Sequence, residues 1–182
     1  MKNIKEIRRI TAILAIFGLL AIMFYPILAI ASTAAEGAKE VDIPDPGLEA
    51  AIREAINKPD GPIYVKDLEG LTELDASGRG IVDLIGLEYC TDLEKLGLRY
   101  NGITDISPLS QLINLEWLGL WGNGITDISP LSQLINLEWM GLGGNEITDI
   151  SPLSQLINLE WLDLGSNKIT DISPLSQLIN LE

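Results

Sequence analysis

The strongest constraint on the fold is a 22-residue repeat that organises the chain from residue 71 onwards. The segment ITDISPLSQLINLEW occurs at residues 103–117, 125–139 and 147–161, and ITDISPLSQLINLE closes the sequence at 169–182. A unit this short cannot hide its own apolar side from water, so successive copies must stack on one another. Five full repeats and the start of a sixth begin at these leucines: Leu71, Leu93, Leu115, Leu137, Leu159 and Leu181.

The first half of each repeat predicts a short strand followed by a turn. In the repeat that begins at Leu115, the side chains of Leu118 and Leu120 lie on the same face of a strand because successive side chains alternate. Asn123 then turns the chain, and its amide can satisfy backbone groups of the bend and of the neighbouring turn. This position recurs as a predicted structural ladder: Asn101, Asn123, Asn145 and Asn167.

The second half of the repeat predicts a return leg with a short 3₁₀ turn. Ser129 is a favourable N-cap residue and Pro130 suits the first helical position, so the turn is expected at Pro130–Gln133. The apolar residues of this leg should point back to the core: Ile125, Ile128, Leu131 and Leu134.

The complete pattern, LxxLxLxxNxIxDIxPLxxLxx, resembles the leucine-rich repeats of bacterial internalin-like surface proteins. The resemblance implies an α/β solenoid, a right-handed superhelix with a parallel β-sheet on the concave face. It also implies short 3₁₀ turns on the convex side and an α-helical cap at the N-terminal end. Arg79 replaces the first ladder asparagine, which suggests that the ladder ends against the cap. Cys90 occupies a leucine position and is expected to be buried and unreactive.

Residues 41–70 match such a cap in position and pattern. Asp45 and Pro46 suit the N-cap and the first position of a helix. One apolar stripe follows at helical spacing: Leu48, Ala51, Ile52, Ala55 and Ile56. Residues 59–61 should end the helix, and residues 63–65 should lead into an edge strand. Residues 32–40 have no apolar periodicity and are expected to form a flexible linker.

The N-terminal segment is typical of an export signal. Four basic residues and one acidic residue lie in positions 1–9, and residues 10–28 are uncharged. Small residues at Ala29 and Ala31 favour cleavage after Ala31, which makes residues 1–31 a signal peptide. The uncharged run is long enough that an uncleaved membrane anchor is the alternative. Either interpretation predicts a secreted or cell-surface protein.

Composition excludes several classes of function. The chain has no histidine and a single cysteine, which excludes imidazole catalysis, histidine metal sites and disulfide frameworks. The net charge is −14, and removal of residues 1–31, with four bases and one acid, would make it −17. Such a charge repels nucleic acid. No phosphate-binding loop or isolated carboxylate pair indicates an enzyme, and no cofactor is expected.

The outward positions of the strands carry the candidate binding residues. The third strand position holds Trp117, Trp139 and Trp161, and stacking of the coils about 4.8 Å apart should place these indoles in a column beside a glycine channel. Trp121 adds a fourth ring to the same face. We therefore expect the ligand-binding surface on the concave face to include these residues: Trp117, Trp139, Trp161, Trp121, Lys95, Arg99 and Asp163.

A second column of repeated residues is acidic: Asp83, Asp105, Asp127, Asp149 and Asp171. The favoured interpretation is local capping, in which each carboxylate accepts hydrogen bonds from amides of the return leg. The alternative is calcium held between coils. One aspartate per coil supplies too few oxygen ligands for calcium, so no metal site is expected.

These features predict an exported module that recognises a protein partner through its concave face, chiefly on the strength of the resemblance. The alternatives are a carbohydrate-binding module that uses the tryptophan column and a structural spacer for a downstream domain. The sequence stops two residues into the sixth repeat, so we expect a longer protein. A true terminus with dimerisation through the open end is the alternative.

Overall fold

The computed structural model of the protein describes residues 38–181, and the predicted signal segment and most of the predicted linker lie outside them. The described residues from Glu40 onwards form one compact unit. Among residues 38–181, no helix has both the length and the apolar composition needed to cross a membrane.

Five short strands form one parallel sheet in chain order. They are β1 (Glu73–Asp75), β2 (Lys95–Gly97), β3 (Trp117–Gly119), β4 (Trp139–Gly141) and β5 (Trp161–Asp163). Each residue pairs with the residue 22 positions further along, as Trp117 does with Trp139. The period of the sequence is therefore the period of the sheet, and equivalent positions of successive repeats become neighbours.

Each coil returns along the opposite side through a 3₁₀ segment. These segments span Leu87–Tyr89, Ser107–Gln111, Ser129–Gln133, Ser151–Gln155 and Ser173–Gln177. The predicted role of Ser129 as N-cap is wrong. The segment begins at Ser129 itself, and its amide donates to Oδ1 of Asp127 over 2.8 Å. A carboxylate two residues earlier is a stronger acceptor than a hydroxyl, so it provides the cap.

The core is a continuous column of leucine and isoleucine between the sheet and the 3₁₀ segments. Leu115, Leu118, Leu120, Ile125 and Leu131 of one repeat are all completely buried. Cys90 is buried in the same column, as its leucine position predicts, and burial raises the pKa of its thiol to about 12. Stacking therefore removes from water the apolar side that a single coil would expose.

The asparagines after the strands connect consecutive coils. Asn145 donates from Nδ2 to the carbonyls of Leu120 and Leu142, at 3.0 and 2.9 Å, and accepts at Oδ1 from the amide of Ile125 at 3.1 Å. Its side chain thus bonds backbone of the preceding coil and of its own. Equivalent bonds are made by Asn101, Asn123 and Asn167.

Helix α1 (Pro46–Ala55) covers the N-terminal end of the stack. Leu48, Ala51 and Ile52 of the predicted apolar stripe are buried, whereas Ala55 is exposed and Ile56 is only partly buried, because the stripe leaves the stack at the end of the helix. Asp45 is the N-cap: Oδ1 accepts from the amides of Gly47 and Leu48, and Oδ2 accepts from Val82 and Asp83 of the first coil. A single carboxylate therefore caps the helix and joins it to the repeats.

Arg79, which replaces the first ladder asparagine, also contacts the cap. Its guanidinium pairs with Glu54 of α1 at 2.7 Å, and its amide donates to Oδ1 of Asn101. The expected strand near Ile63 is absent from this part of the structure: Tyr64 forms one isolated antiparallel bridge with Glu40, and Val65–Asp67 is a 3₁₀ turn. Asp67 accepts from the amide of Tyr64, which favours the turn over a strand.

Candidate functional site

The tryptophans on the outer side of the sheet form one compact aromatic cluster, defined by Trp117, Trp121, Trp139 and Trp161. The strand register places three of them in a column. The rings of Trp117 and Trp139 stack with centroids 4.5 Å apart, and those of Trp139 and Trp161 stack at 4.3 Å, both nearly parallel. Both faces of Trp139 are therefore covered by neighbouring indoles, so a ligand could reach this ring only at its edge.

Trp121 closes one side of this column. Its ring meets Trp139 and Trp161 edge to face, with centroids 4.9 and 5.7 Å away and an interplanar angle of 64°. Its Nε1 donates a 2.6 Å hydrogen bond to Oδ2 of Asp163. Edge-to-face and offset-stacked arrangements are the favourable geometries for aromatic pairs, so the four rings hold one another in position.

The predicted open channel beside the column is wrong, because aromatic rings cover the glycines. A Cβ on Gly141 would lie 2.5 Å from the ring of Trp121, and one on Gly143 would lie 2.7 Å from the same ring. Gly119 likewise lies under Trp117 and Arg99. The glycines act as a floor, because the absence of side chains lets the indoles lie directly on the sheet backbone.

Arg99 completes the aromatic cluster. Its guanidinium carbon lies 4.8 Å from the ring centroid of Trp117, 4.6 Å from that of Trp121 and 5.8 Å from that of Trp139. These distances are within the range of cation–π attraction. Of the predicted site residues, the structure thus brings together Arg99, Asp163 and the four tryptophans. Lys95 lies on β2 in an exposed ion pair with Glu73, 2.6 Å long.

Tyr100 is an aromatic residue of this face that the sequence argument overlooked. Its side chain is 73% exposed and its ring lies against Gly122. The equivalent residues of three other coils are Gly78, Gly122 and Gly144, so the departure of Tyr100 from the repeat was visible in the sequence.

A second column of asparagines was also overlooked. Each side chain donates from Nδ2 to a backbone carbonyl of the preceding coil at 2.9 to 3.0 Å, as Asn136 does to Ile113. The members are Asn114, Asn136, Asn158 and Asn180. These residues are exposed and contribute to stacking.

The acidic column caps the return legs. In Asp127, Oδ1 accepts from the amide of Ser129 and Oδ2 accepts from its hydroxyl at 3.0 Å. These hydrogen bonds lower the pKa of Asp127, with the amide bond as the larger cause. Both oxygens are thus engaged locally. Within residues 38–181, no group of three histidine, cysteine, aspartate or glutamate side chains could hold a metal ion.

Comparisons with known proteins agree with this architecture. A family model described as leucine-rich repeats (2 copies) matches residues 135–177. The crystal structure of an internalin (inlF) from Listeria monocytogenes is 34% identical over 76% of this chain and 48% of its own, with a TM-score of 0.67. The chain thus spans about half the length of that internalin. A search of curated proteins found no match.

Two further solved structures are similar. Internalin C2 of Listeria monocytogenes is 30% identical over 76% of this chain and 81% of its own, with a TM-score of 0.40. A leucine-rich repeat protein of Leptospira interrogans is 32% identical over 56% of this chain and 27% of its own, with a TM-score of 0.53.

The parallel sheet, the 3₁₀ return legs and the asparagine ladder define a leucine-rich repeat protein. More narrowly, the chain belongs to the bacterial internalin-like leucine-rich repeat proteins, with a helical cap at the N-terminal end of its solenoid. This fold is typically non-enzymatic and mediates protein–protein interaction.

Proposed function

We propose that the chain is an exported recognition module that binds a protein partner through the concave face, with the aromatic cluster as the main contact. The observation that carries this proposal is the cluster itself. Four tryptophans and one arginine, residue types that dominate the energetics of protein interfaces, lie together on the outer side of a rigid sheet.

The cluster is suited to binding because its side chains are already ordered. Trp121 is held by Asp163, and Trp139 is held between two rings. Ordering a side chain at an interface has a cost in conformational entropy, and here most of that cost is met when the protein folds. A net charge of −14 should also attract a partner with a basic surface and make the association rate depend on salt.

A carbohydrate ligand is the second candidate. Sugar rings stack on exposed aromatic faces, and both faces of Trp139 are occupied by other indoles. Trp161, at the end of the column, is 37% exposed and has a stacked indole on one side. The geometry therefore offers a sugar at most a short platform, and it favours a protein partner that can contact ring edges.

The proposed export rests on the basic and apolar pattern of residues 1–31 and on the typical location of internalin-like proteins, which is secreted or at the cell surface. The test is intact-mass analysis of the protein in cell fractions of a producing bacterium. We expect an extracellular chain that begins at Ser32. A cell-surface chain that keeps residues 1–31 would indicate an anchor, and an intracellular chain would contradict export.

The binding test uses Trp161→Ala, because truncation of Trp139 would also disturb both of its neighbours. Its control is Ile157→Ala, an apolar residue of the preceding coil that is 54% exposed but lies outside the sheet. For a partner recovered by crosslinking, we expect Trp161→Ala to weaken binding about tenfold or more, whereas the control binds normally. Equal affinity of both variants would contradict the proposal, and loss of glycan-array binding in Trp161→Ala alone would favour carbohydrate.

A further inference from the structure

The concave face also contains a shallow depression over β1 and β2, next to the aromatic cluster. Its volume is about 790 Å³, and these side chains line it: Glu73, Asp75, Lys95, Arg99, Tyr100 and Trp117. It therefore combines two cations, two carboxylates and two aromatic rings, and one of the cations, Lys95, is paired with Glu73.

Arg99 is the cation in this depression that has no carboxylate partner. Ion pairs hold Arg53 to Glu49, Lys58 to Asp67, Arg79 to Glu54, Lys95 to Glu73 and Lys168 to Glu146. Within residues 38–181 no such pair includes Arg99, and the buried Nε of Arg99 has no hydrogen-bond partner. In a chain with a large excess of acids, an arginine held between indoles without an acid is a distinctive arrangement.

Asp75, a carboxylate of the depression, is engaged with another residue. Asp75 accepts from the amide of Ser77 at Oδ1, over 3.1 Å. The pKa of Asp75 is lowered first by the hydrogen bonds from Ser77 and then by the charge of Arg99. Asp75 thus influences Arg99 through space without forming an ion pair with it. The planar guanidinium of Arg99 can therefore still bind a carboxylate of another molecule.

Tyr100 supplies the apolar wall beside this cation. Its backbone has φ 54°, in the left-handed region that is unfavourable for a residue with a side chain. A glycine would relieve this strain, as it does in the equivalent position of three other coils. The structure instead keeps a tyrosine that is 73% exposed, and an exposed aromatic residue in a strained backbone points to a contact role.

We propose that this depression receives an acidic side chain of a bound peptide segment, with its carboxylate on the guanidinium of Arg99 and an adjacent apolar side chain against Tyr100. This inference rests on the proposed recognition function and specifies its partner: a surface segment in which Asp or Glu neighbours an aromatic or aliphatic residue. The basic regions that the overall charge attracts would lie outside the depression.

The test is selection of phage-displayed linear peptides against the full chain, followed by affinity measurement by fluorescence polarisation. The enriched peptides are expected to share an Asp or Glu beside an apolar residue. Arg99→Gln should raise their Kd at least tenfold, whereas Lys168→Gln, the matched loss of a cation on another coil, should not. Amidation of the peptide acid should weaken binding to the wild-type chain and have little further effect on the Arg99→Gln variant.

A second pair of variants distinguishes loss of peptide binding from loss of folding. Tyr100→Gly restores the residue found in other coils, so it should raise the melting temperature while it raises the peptide Kd several-fold. Ser166→Gly, which relieves the same backbone strain at φ 57°, should change only the melting temperature. Failure to enrich acidic peptides, or equal affinity for Arg99→Gln and Lys168→Gln, would overturn the inference.

The outcomes also separate this inference from the proposed function. Peptides that depend on Trp161 but not on Arg99 would overturn the acidic subsite and leave concave-face recognition standing. Peptides that are insensitive to both Arg99→Gln and Trp161→Ala would overturn both.

Discussion

The indole of Trp121 donates a 2.6 Å hydrogen bond to the carboxylate of Asp163, a residue 42 positions further along the chain. With a 22-residue repeat, this bond links the coil that contains β3 to β5 and passes over the coil that contains β4. The other oxygen of Asp163 accepts from the amide of Gly165 at 2.8 Å, so the carboxylate is held at both ends. One bond between non-adjacent coils thus sets the orientation of the ring that closes the aromatic cluster.

Asp163→Ala should loosen this ring. The bond is partly buried and its acceptor is charged, so we expect a loss of about 1–2 kcal/mol of unfolding free energy. Trp121 should become more accessible to water, and the tryptophan emission maximum should move to longer wavelength with stronger acrylamide quenching. Emission spectra and urea titrations measure both effects.

The control for this variant is Asp75→Ala, which removes an aspartate from the same strand position in β1, where it bonds Ser77 rather than an indole. It should leave the emission maximum unchanged. An identical spectrum for Asp163→Ala and the wild-type chain would show that the bond does not hold the ring.

The sequence predicts the positions of these side chains but not their orientations. The 22-residue period alone places Trp117, Trp139 and Trp161 in one column, because equivalent residues must pair when coils stack in register. Which ring faces which neighbour depends on rotamers selected by local packing. The bond from Trp121 to Asp163 and the insertion of Arg99 between rings are therefore outside what periodicity can predict.

The same distinction explains two of the wrong expectations about local geometry. Glycine at position 141 indicates free space in a sequence, whereas in the structure that space is what permits Trp121 to lie on the backbone. Ser129 and Asp127 both offer oxygen acceptors for the return leg, and only geometry shows that the carboxylate reaches the amide. Tyr100 differs because its departure from the repeat was a usable signal.

Asn145→Ala should be among the most damaging polar substitutions in the repeats. The side chain is 4% exposed, and its loss leaves two buried carbonyls and one buried amide without their partner. We expect a loss of about 2–4 kcal/mol in unfolding free energy, measured by urea denaturation. Asn158→Ala is the matched control, because this exposed asparagine makes one bond to Ile135 and should lose less than about 1 kcal/mol. Similar losses in the two variants would contradict the importance of burial.

Cys90 should be unreactive in the folded chain. It is the single cysteine, it is fully buried, and burial, assisted by the charge of Glu88, raises the pKa of its thiol to about 12. Thiolate is the reactive form, so labelling by a chromogenic disulfide at pH 8 should be slow in buffer and rapid in concentrated urea. The labelling rate then reports opening of the first coils. Fast labelling in buffer would contradict the burial of this residue.

Asp45→Asn should weaken the attachment of the helical cap to the repeats. At pH 7 we expect a loss of about 2–3 kcal/mol, because an amide cannot accept from all four backbone amides that the carboxylate binds. Burial acts to raise the pKa of Asp45, but the bonds from Val82 and the other amides lower it overall. The contribution is therefore complete above the unfolded pKa of about 3.9 and is lost as pH falls through the lower folded pKa. Urea midpoints measured from pH 7 to pH 2 should show the wild-type chain and the variant converging only in acid.

The exposed Asp60→Asn serves as control and should lose less than about 0.5 kcal/mol at pH 7. A difference between Asp45→Asn and the wild-type chain that stays constant down to pH 2 would contradict this role of the carboxylate.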